Sequence, residues 1–292
     1  MELLDGKKTS LEIQNELSVK VKSLVANGIN PPHLVAVLVG DDGASRTYVN
    51  AKVKACERIG FKSTLHHLSS DTSEIELLEV IRKLNEDDSV DGFIVQLPLP
   101  NHMDDHKITL AISPKKDVDG FHPENVGKMA LGLPTFLPAT PNGVMELLKR
   151  YEIPTEGKNT VVIGRSSIVG TPMSILMSRK SNPGNATVTL AHSRTKDLKS
   201  ICQCADILIV AIGIPHFIGK DMVKKDAVVI DVGIHRIEDS SKKSGYKLIG
   251  DVIFDEVAEK CSYISPVPGG VGPMTIASLL MNTFKSANEK RN

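Results

Sequence analysis

Apolar and polar positions follow two rhythms along this chain. Between residues 10 and 27, Ile13, Leu17, Val21 and Leu24 recur at helical spacing, and Gly28 is a plausible stop. "HLVAVLVG" (33–40) is apolar without alternation, as expected of a strand buried on both faces. The residues up to Ile59 read as a helix ending at Gly60. "FKSTLHHL" (61–68) reads as a second strand, 73–86 as a helix and "GFIVQL" (92–97) as a third strand. Strand, helix, strand, helix, strand predicts a parallel sheet with helices on its faces.

Residues 119–143 break the pattern. "DGFHPENVGKMALGLPTFLPATPNG" holds four prolines and four glycines with little periodicity, and reads as a crossing between domains. A helix over about 143–151 follows. "NTVVIG" (159–164), "ATVTLA" (186–191), "ADILIVAIG" (205–213) and "DAVVIDVG" (226–233) then read as four buried strands. Helical patterns separate the first three, and three of the four end in glycine, where the chain turns. This is the grammar of a doubly wound dinucleotide-type domain. Ile276, Leu279, Leu280, Phe284 and Ala287 make one apolar face of a last helix, 273–290, with Pro273 in its first turn.

The expected fold class is therefore α/β with two domains. An N-terminal parallel-sheet domain and a C-terminal Rossmann-type domain would flank a cleft. A length of 292 residues fits two domains of ~100–200 residues each. The 41% apolar content supports sizeable cores, and with 4% aromatics and no Trp they must be aliphatic.

Thirty-five basic residues balance 35 acidic ones, which argues against nucleic acid as the main partner. The N-terminus lacks a basic then apolar leader. The longest apolar runs, such as "ILIVAIGI" (207–214), fall far short of the ~20 residues that span a bilayer. Four cysteines (Cys56, Cys202, Cys204, Cys261) form no disulfide framework or zinc-ligand spacing. A cytoplasmic, reduced protein off the membrane is expected. "HMDDH" (102–106) places His102 and His106 four apart, but reads as a loop starting a helix with Asp as N-cap, so no metal site is expected.

Two strand–loop–helix junctions compete for a nucleotide. Gly40-Asp41-Asp42-Gly43-Ala44-Ser45 carries two carboxylates that would repel a pyrophosphate. Gly164-Arg165-Ser166-Ser167-Ile168-Val169-Gly170 offers a strand-end glycine, a cation, two hydroxyls and a glycine at the helix start. It is not G-x-G-x-x-G, so its weight comes from the strands around it. At the end of the next strand, where NAD enzymes commonly place an acid ~20 residues on, Ala191-His192-Ser193-Arg194 offers a hydroxyl and a cation but no acid. With Arg165, this favours a 2′-phosphate, hence NADP.

In open parallel sheets, ligands bind beyond the carboxyl ends of the strands. Lys52, Gln96 and Asp119 gather there in the first domain. Singly, each has a bland reading: a solvated lysine, a pin for the "QLPLP" turn, a cap for "DGFH". Together they suggest a base, a partner and an anchor. Tyr48 and Lys52, four apart on a helix, resemble the Tyr/Lys pair of short-chain dehydrogenases. That pair follows the glycine-rich turn within its own domain, whereas this one lies far upstream of Gly164 in the other half.

"SRTYVNAK", "DGFIVQLPLP", "SPKKDVDGFHPENVG", "VVIGRSSIVGTPM", "DVGIHR" and "SPVPGGVGPMT" together resemble the bifunctional methylenetetrahydrofolate dehydrogenase/cyclohydrolase family. The resemblance implies that NADP⁺ takes a hydride from 5,10-methylenetetrahydrofolate. Water then opens the methenyl cation to 10-formyltetrahydrofolate. It implies Lys52 as the group that handles water and protons, with Gln96 as its hydrogen-bond partner and Val95 and Leu97 beside the folate. Asp119 would hold the pterin's donor edge and Tyr48 would pack on the folate. The loop Pro268, Gly269, Gly270, Val271 and Gly272 would close the cleft. Gly164, Arg165, Ser166, Ser193 and Ile234 would surround NADP, and the enzyme would be a homodimer. Because the last helix returns to the first domain, the expected division is 1–119 plus 273–292 for folate, 120–142 as the crossing and 143–272 for NADP. Two rivals stay open: a dehydrogenase with slow cyclohydrolase, and a silent nucleotide-binding regulator.

Overall fold

The computed structural model describes residues 1–242 and 245–291, so Asn292, the end of the expected 273–292 segment, lies outside the described residues. The chain opens with a short strand, β1 (Glu2–Leu3), and a long helix, α1 (Gly6–Ala26). There follow β2 (His33–Val39), α2 (Gly43–Ile59), β3 (Lys62–Leu68), α3 (Glu74–Glu86), β4 (Gly92–Val95), α4 (Asp105–Ala111) and α5 (Pro123–Ala130). The second half holds α6 (Ala139–Arg150), β5 (Asn159–Ile163), α7 (Gly170–Ser178), β6 (Thr187–Ala191), α8 (Leu198–Gln203), β7 (Ile207–Val210) and β8 (Val228–Asp231). It ends with β9 (His235–Glu238), β10 (Tyr246–Ile249), α9 (Phe254–Ala258), β11 (Tyr263–Ile264) and α10 (Val271–Arg291).

Two compact units result: Leu11–Ala139 with the chain from Ile276 on, and Met1–Ser10 with Thr140–Thr275. The first unit carries a parallel sheet of order β3-β2-β4. All seven residues of β2 are buried, because the strand is central and both faces are covered. Val35, Val37 and Val39 share one core with Leu77 and Ile81 of α3, Phe93 and Val95 of β4, and Ile108 of α4. Helix α3 starts with a full capping box between Ser73 and Glu76.

The second unit carries a six-stranded sheet, β1-β11-β8-β7-β5-β6, parallel at every pair. A two-stranded antiparallel ribbon, β9–β10, stands apart from it. Val161 and Ile163 of β5, Leu208 and Val210 of β7 and Val229 of β8 centre its aliphatic core.

The division differs from the sequence expectation at several boundaries, and residues 140–142 and 273–275 also fall in the second unit. Residues 1–10 join the second unit, because β1 pairs in parallel with β11. A two-residue strand has no periodicity to read. Residues 120–139 belong to the first unit instead of forming a crossing. They include α5, an eight-residue helix with Pro123 at its start that buries only Asn125 and Met129, too few to make a periodic stripe. One strand also departs from expectation. β6 is an edge strand, not a buried one, and Thr187 and Thr189 are exposed along it.

Asn282 of α10 holds two strands of irregular chain in the first unit. Its buried amide donates to the Val118 and Leu137 carbonyls at 2.8 and 2.9 Å. Asn282→Ala leaves both acceptors unpaired and is expected to lower unfolding free energy by about 2–4 kcal/mol. A fall in the urea midpoint at unchanged slope is the readout.

Candidate active site

Asp42 builds the start of α2. Its carboxylate accepts from Ser45 N at 2.7 Å and so occupies the helix N-terminus at the Gly40–Ser45 junction. Gly60, in the left-handed conformation, ends the helix. Tyr48 and Lys52 therefore lie one turn apart on one face. Lys52 is only 6% exposed, an unusual place for a lysine. Its Nζ donates to Gln96 Oε1 at 3.1 Å. Gln96 Nε2 donates to the Leu97 carbonyl at 2.7 Å, and this orients the amide with its oxygen towards the lysine. The Gln96 backbone N–H donates to Val37 O and extends the β2–β4 ladder by one residue. Among the described residues, Lys52 therefore meets a rigidly held neutral amide and no carboxylate bond.

Asp119 stands on a loop that its neighbours hold. Asp117, 2% exposed, accepts from Gly120 N at 3.1 Å, His122 N at 2.7 Å and Asn125 Nδ2 at 2.9 Å. Asp117 therefore ties the "DGFH" turn, a role that sequence had offered to Asp119 as the bland alternative. Gly120 has φ +74°, and a Cβ there would lie 2.6 Å from the Leu137 carbonyl carbon. The carboxylate of the half-buried Asp119 itself takes no hydrogen bond from the described residues. Desolvation by burial pushes it above the usual carboxylate range. Lys52 nearby pulls it down, and Asp117 adds a smaller upward push. Tyr48 is half-buried, and desolvation raises its hydroxyl as well. Val95, Leu97, Asp117, Asp119 and Phe121 are among the residues lining a small cleft of about 10 Å³ beside the loop.

A lysine, an amide and an untied carboxylate can move a proton and bind a donor edge. Val95 buries its side chain in the core, so it can offer a ligand only its backbone.

In the second unit, Gly164 follows β5 with φ +113°, and a Cβ there would lie 2.1 Å from Ala211 O. A Cβ on Gly170 would lie 1.9 Å from Gly164 O. Both positions require glycine, and the turn brings the backbone close to the first turn of α7. Ser166 Oγ accepts from Val169 N at 3.1 Å and so shapes that turn. Arg165 and Ser166 are exposed. Ile163 pairs with Ala191, so the loops after β5 and β6 start side by side, and Ser193 and Arg194 are exposed on the second. Ile234 follows β8 and is 42% exposed.

The loop 268–272 also belongs to this unit. Gly269 has φ +108°, and its carbonyl accepts from Lys7 N at 2.8 Å. Val271 is buried and begins α10. His102 Nε2 meets the Thr72 carbonyl, and Asp104 caps α4, so "HMDDH" serves a local helix start.

Sequence reasoning missed Asp117, which holds Asp119. The one available signal was a second acid two residues away in "DVDG". The raised Asp119 carboxyl also carries a stability signature. A carboxyl raised by folding favours the folded state fully only below its ordinary value of 3.8, and that contribution is lost as pH rises through the raised value. Asp119→Asn is therefore expected to have a urea midpoint above the parent's at pH 8, with the gap narrowing towards pH 4. A lower midpoint at pH 8 would count against this.

Comparison with known proteins also divides the chain in two, as two continuous stretches. Residues 4–119 match the tetrahydrofolate dehydrogenase/cyclohydrolase catalytic domain, and residues 138–291 match the NAD(P)-binding domain of the same family. The chain is 65% identical over 287 residues to the bifunctional protein FolD of Cytophaga hutchinsonii, covering 98% of this chain and 99% of that one. A solved FolD methylenetetrahydrofolate dehydrogenase/cyclohydrolase from Campylobacter jejuni is 52% identical, covers 99% of both chains and superposes with a TM-score of 0.92. The Trypanosoma brucei enzyme, complexed with NADP and an inhibitor, is 36% identical over 99% of this chain and 97% of that one, with a TM-score of 0.93. This chain belongs to the tetrahydrofolate dehydrogenase/cyclohydrolase family.

Proposed function

We infer that this enzyme uses NADP⁺ to oxidise 5,10-methylenetetrahydrofolate and then hydrolyses the 5,10-methenyl product to 10-formyltetrahydrofolate. The observation that carries the reading is the buried Lys52 on Gln96, with the untied Asp119 beside it, in a chain that matches both domains of the family.

The turn 164–170 fits a dinucleotide. Its two glycines leave no room for a Cβ, so backbone takes the space, and the N-terminus of α7 presents N–H groups there. Gly164, Arg165, Ser166, Ser193 and Ile234 are assigned to NADP, with Arg165 and Arg194 as cations for its 2′-phosphate. When bound, NADP⁺ accepts the hydride. That step asks the protein mainly for positioning, because the folate nitrogens stabilise the cation left behind.

Hydrolysis asks more of the side chains. Water adds to the one-carbon centre of the cation, and Lys52, as the amine, takes a proton from it. Lys52 returns a proton to the pterin N5 as the carbon–N5 bond breaks. The hydroxyl then loses its proton to give the formyl group, so one proton is released overall. Gln96 fixes Lys52 in place. Asp119 accepts from the amino and ring N–H groups of the pterin, and Tyr48 packs on it. Val95 and Leu97 flank Gln96, and Pro268, Gly269, Gly270, Val271 and Gly272 are assigned to folate as well. The proposal extends to a homodimer in the cytoplasm with no nucleic-acid partner, the last supported by the even balance of 35 basic and 35 acidic residues. No helix among the described residues is long and apolar enough to cross a membrane.

Lys52→Met is expected to slow methenyl hydrolysis at least about 100-fold, while the folded state persists. The loss of methenyl absorbance, measured against buffer alone, checks this, and an unchanged rate would sink the Lys52 assignment. Arg194→Ala is expected to raise KM for NADP⁺ by about tenfold and to leave NAD⁺ within about twofold, since only the former carries the extra phosphate. Initial rates with both dinucleotides decide it.

A further inference from the structure

Beyond the residues assigned to NADP, two buried carboxylates sit at the carboxyl end of the second unit's sheet. Asp251 is fully buried and Asp231 is 3% exposed. Asp251 Oδ2 accepts from Ile212 N at 2.9 Å and Gly213 N at 3.0 Å, in the loop after β7. Its Oδ1 accepts from His235 Nε2 at 2.7 Å, in the residue after Ile234. One carboxylate thus ties together the loops that follow β7 and β8. Asp231 supports it from below. Its oxygens accept from Asp251 N at 3.1 Å, Val252 N at 2.9 Å and Gly233 N at 2.9 Å.

Two glycines make room for this knot. A Cβ on Gly233 would lie 2.3 Å from Asp251 Oδ1, and one on Gly250 would lie 1.8 Å from Asp231 Oδ2. The loops it braces present large apolar side chains to solvent: Ile214 is 50% exposed and Ile234 is 42% exposed. Exposed isoleucines on loops held this firmly read as a surface for a ligand.

Strand order says which part of the ligand. The order β6-β5-β7-β8 places the phosphate turn after β5, with the Arg194 loop on the β6 side. A dinucleotide laid across that crevice extends its other half over β7 and β8. We propose that Asp251 is a positioning residue for the nicotinamide half of NADP: it joins the loops after β7 and β8 so that Ile214 and Ile234 form one apolar seat for the ring. The inference rests on the assignment of NADP to this unit.

The test uses the full-length enzyme and three variants. Asp251→Ala removes every bond of the carboxylate. Asp251→Asn is the conservative rescue, because its oxygen can still accept from Ile212 and Gly213 while its amide faces His235 in the other tautomer. His235→Ala cuts the link to the loop after β8 at a side chain that is partly exposed, and keeps the question open to measurement if Asp251→Ala does not fold. NADP⁺ affinity by calorimetry, KM for NADP⁺ and the rate of methenyl hydrolysis are measured together. Hydrolysis consumes no dinucleotide and serves as the control for folding.

The expected result is a rise of about three- to tenfold in Kd and KM for His235→Ala and at least about tenfold for Asp251→Ala. Asp251→Asn should stay nearer the parent, and hydrolysis should stay within twofold in every folded variant. Unchanged NADP⁺ parameters in His235→Ala overturn the inference, as does a parallel fall of both activities. No NADP⁺ binding by the unaltered enzyme would instead overturn the functional reading on which the inference rests.

Discussion

Parallel pairing governs both sheets. Each strand must be followed by a crossover before the next can pair, so every strand in a sheet ends at the same edge. In the first unit that edge carries Gln96, one residue past β4, beside the loop that follows β2. In the second it carries Gly164, His192, Ile212 and Val232 in neighbouring loops. Central strands buried on both faces make those edges rigid, because β2 and β7 expose no side chain along their length. The chemistry is thus placed by backbone registry before any side chain is considered.

The carboxylates divide by what they hold. Asp42, Asp117, Asp231 and Asp251 each accept backbone N–H groups and set the shape of a turn. Asp119 accepts none from the described residues, although it too is desolvated. Asp119 keeps part of its surface open to solvent, so what marks it is the absence of a hydrogen-bond partner among the described residues, beside a buried lysine. Lys52 carries the same mark, with an amide where a structural lysine would have a carboxylate.

Much of this was legible in the sequence. The unbroken apolar runs at 33–40 and 205–213 mark central parallel strands, and both are found there. The glycines at 164 and 170 stand out from spacing alone. What stayed hidden was short or non-local. The strand β1 has two residues, α5 has eight, and β6 reads as buried because its edge position depends on strand order. Lys52, Gln96 and Asp119 could be named, but their convergence needs the β2–β4 register, and the bracing roles of Asp117 and Asp251 need hydrogen-bond partners far away in the chain. A lone acid in "DVDG" or "GDV" does not announce what it holds.

The discontinuous chain path of the two units has a consequence for synthesis on the ribosome. β1 is made long before its partner β11, Tyr263–Ile264. The first unit likewise waits for Asn282 to bind the carbonyls of Val118 and Leu137. The second unit cannot close until β11 has emerged, nor the first until Asn282 of α10 has. Contacts of such long sequence separation are slow to form. A nascent chain must therefore carry two unsealed cores until β11 and α10 are made, and until then it is exposed to misassembly.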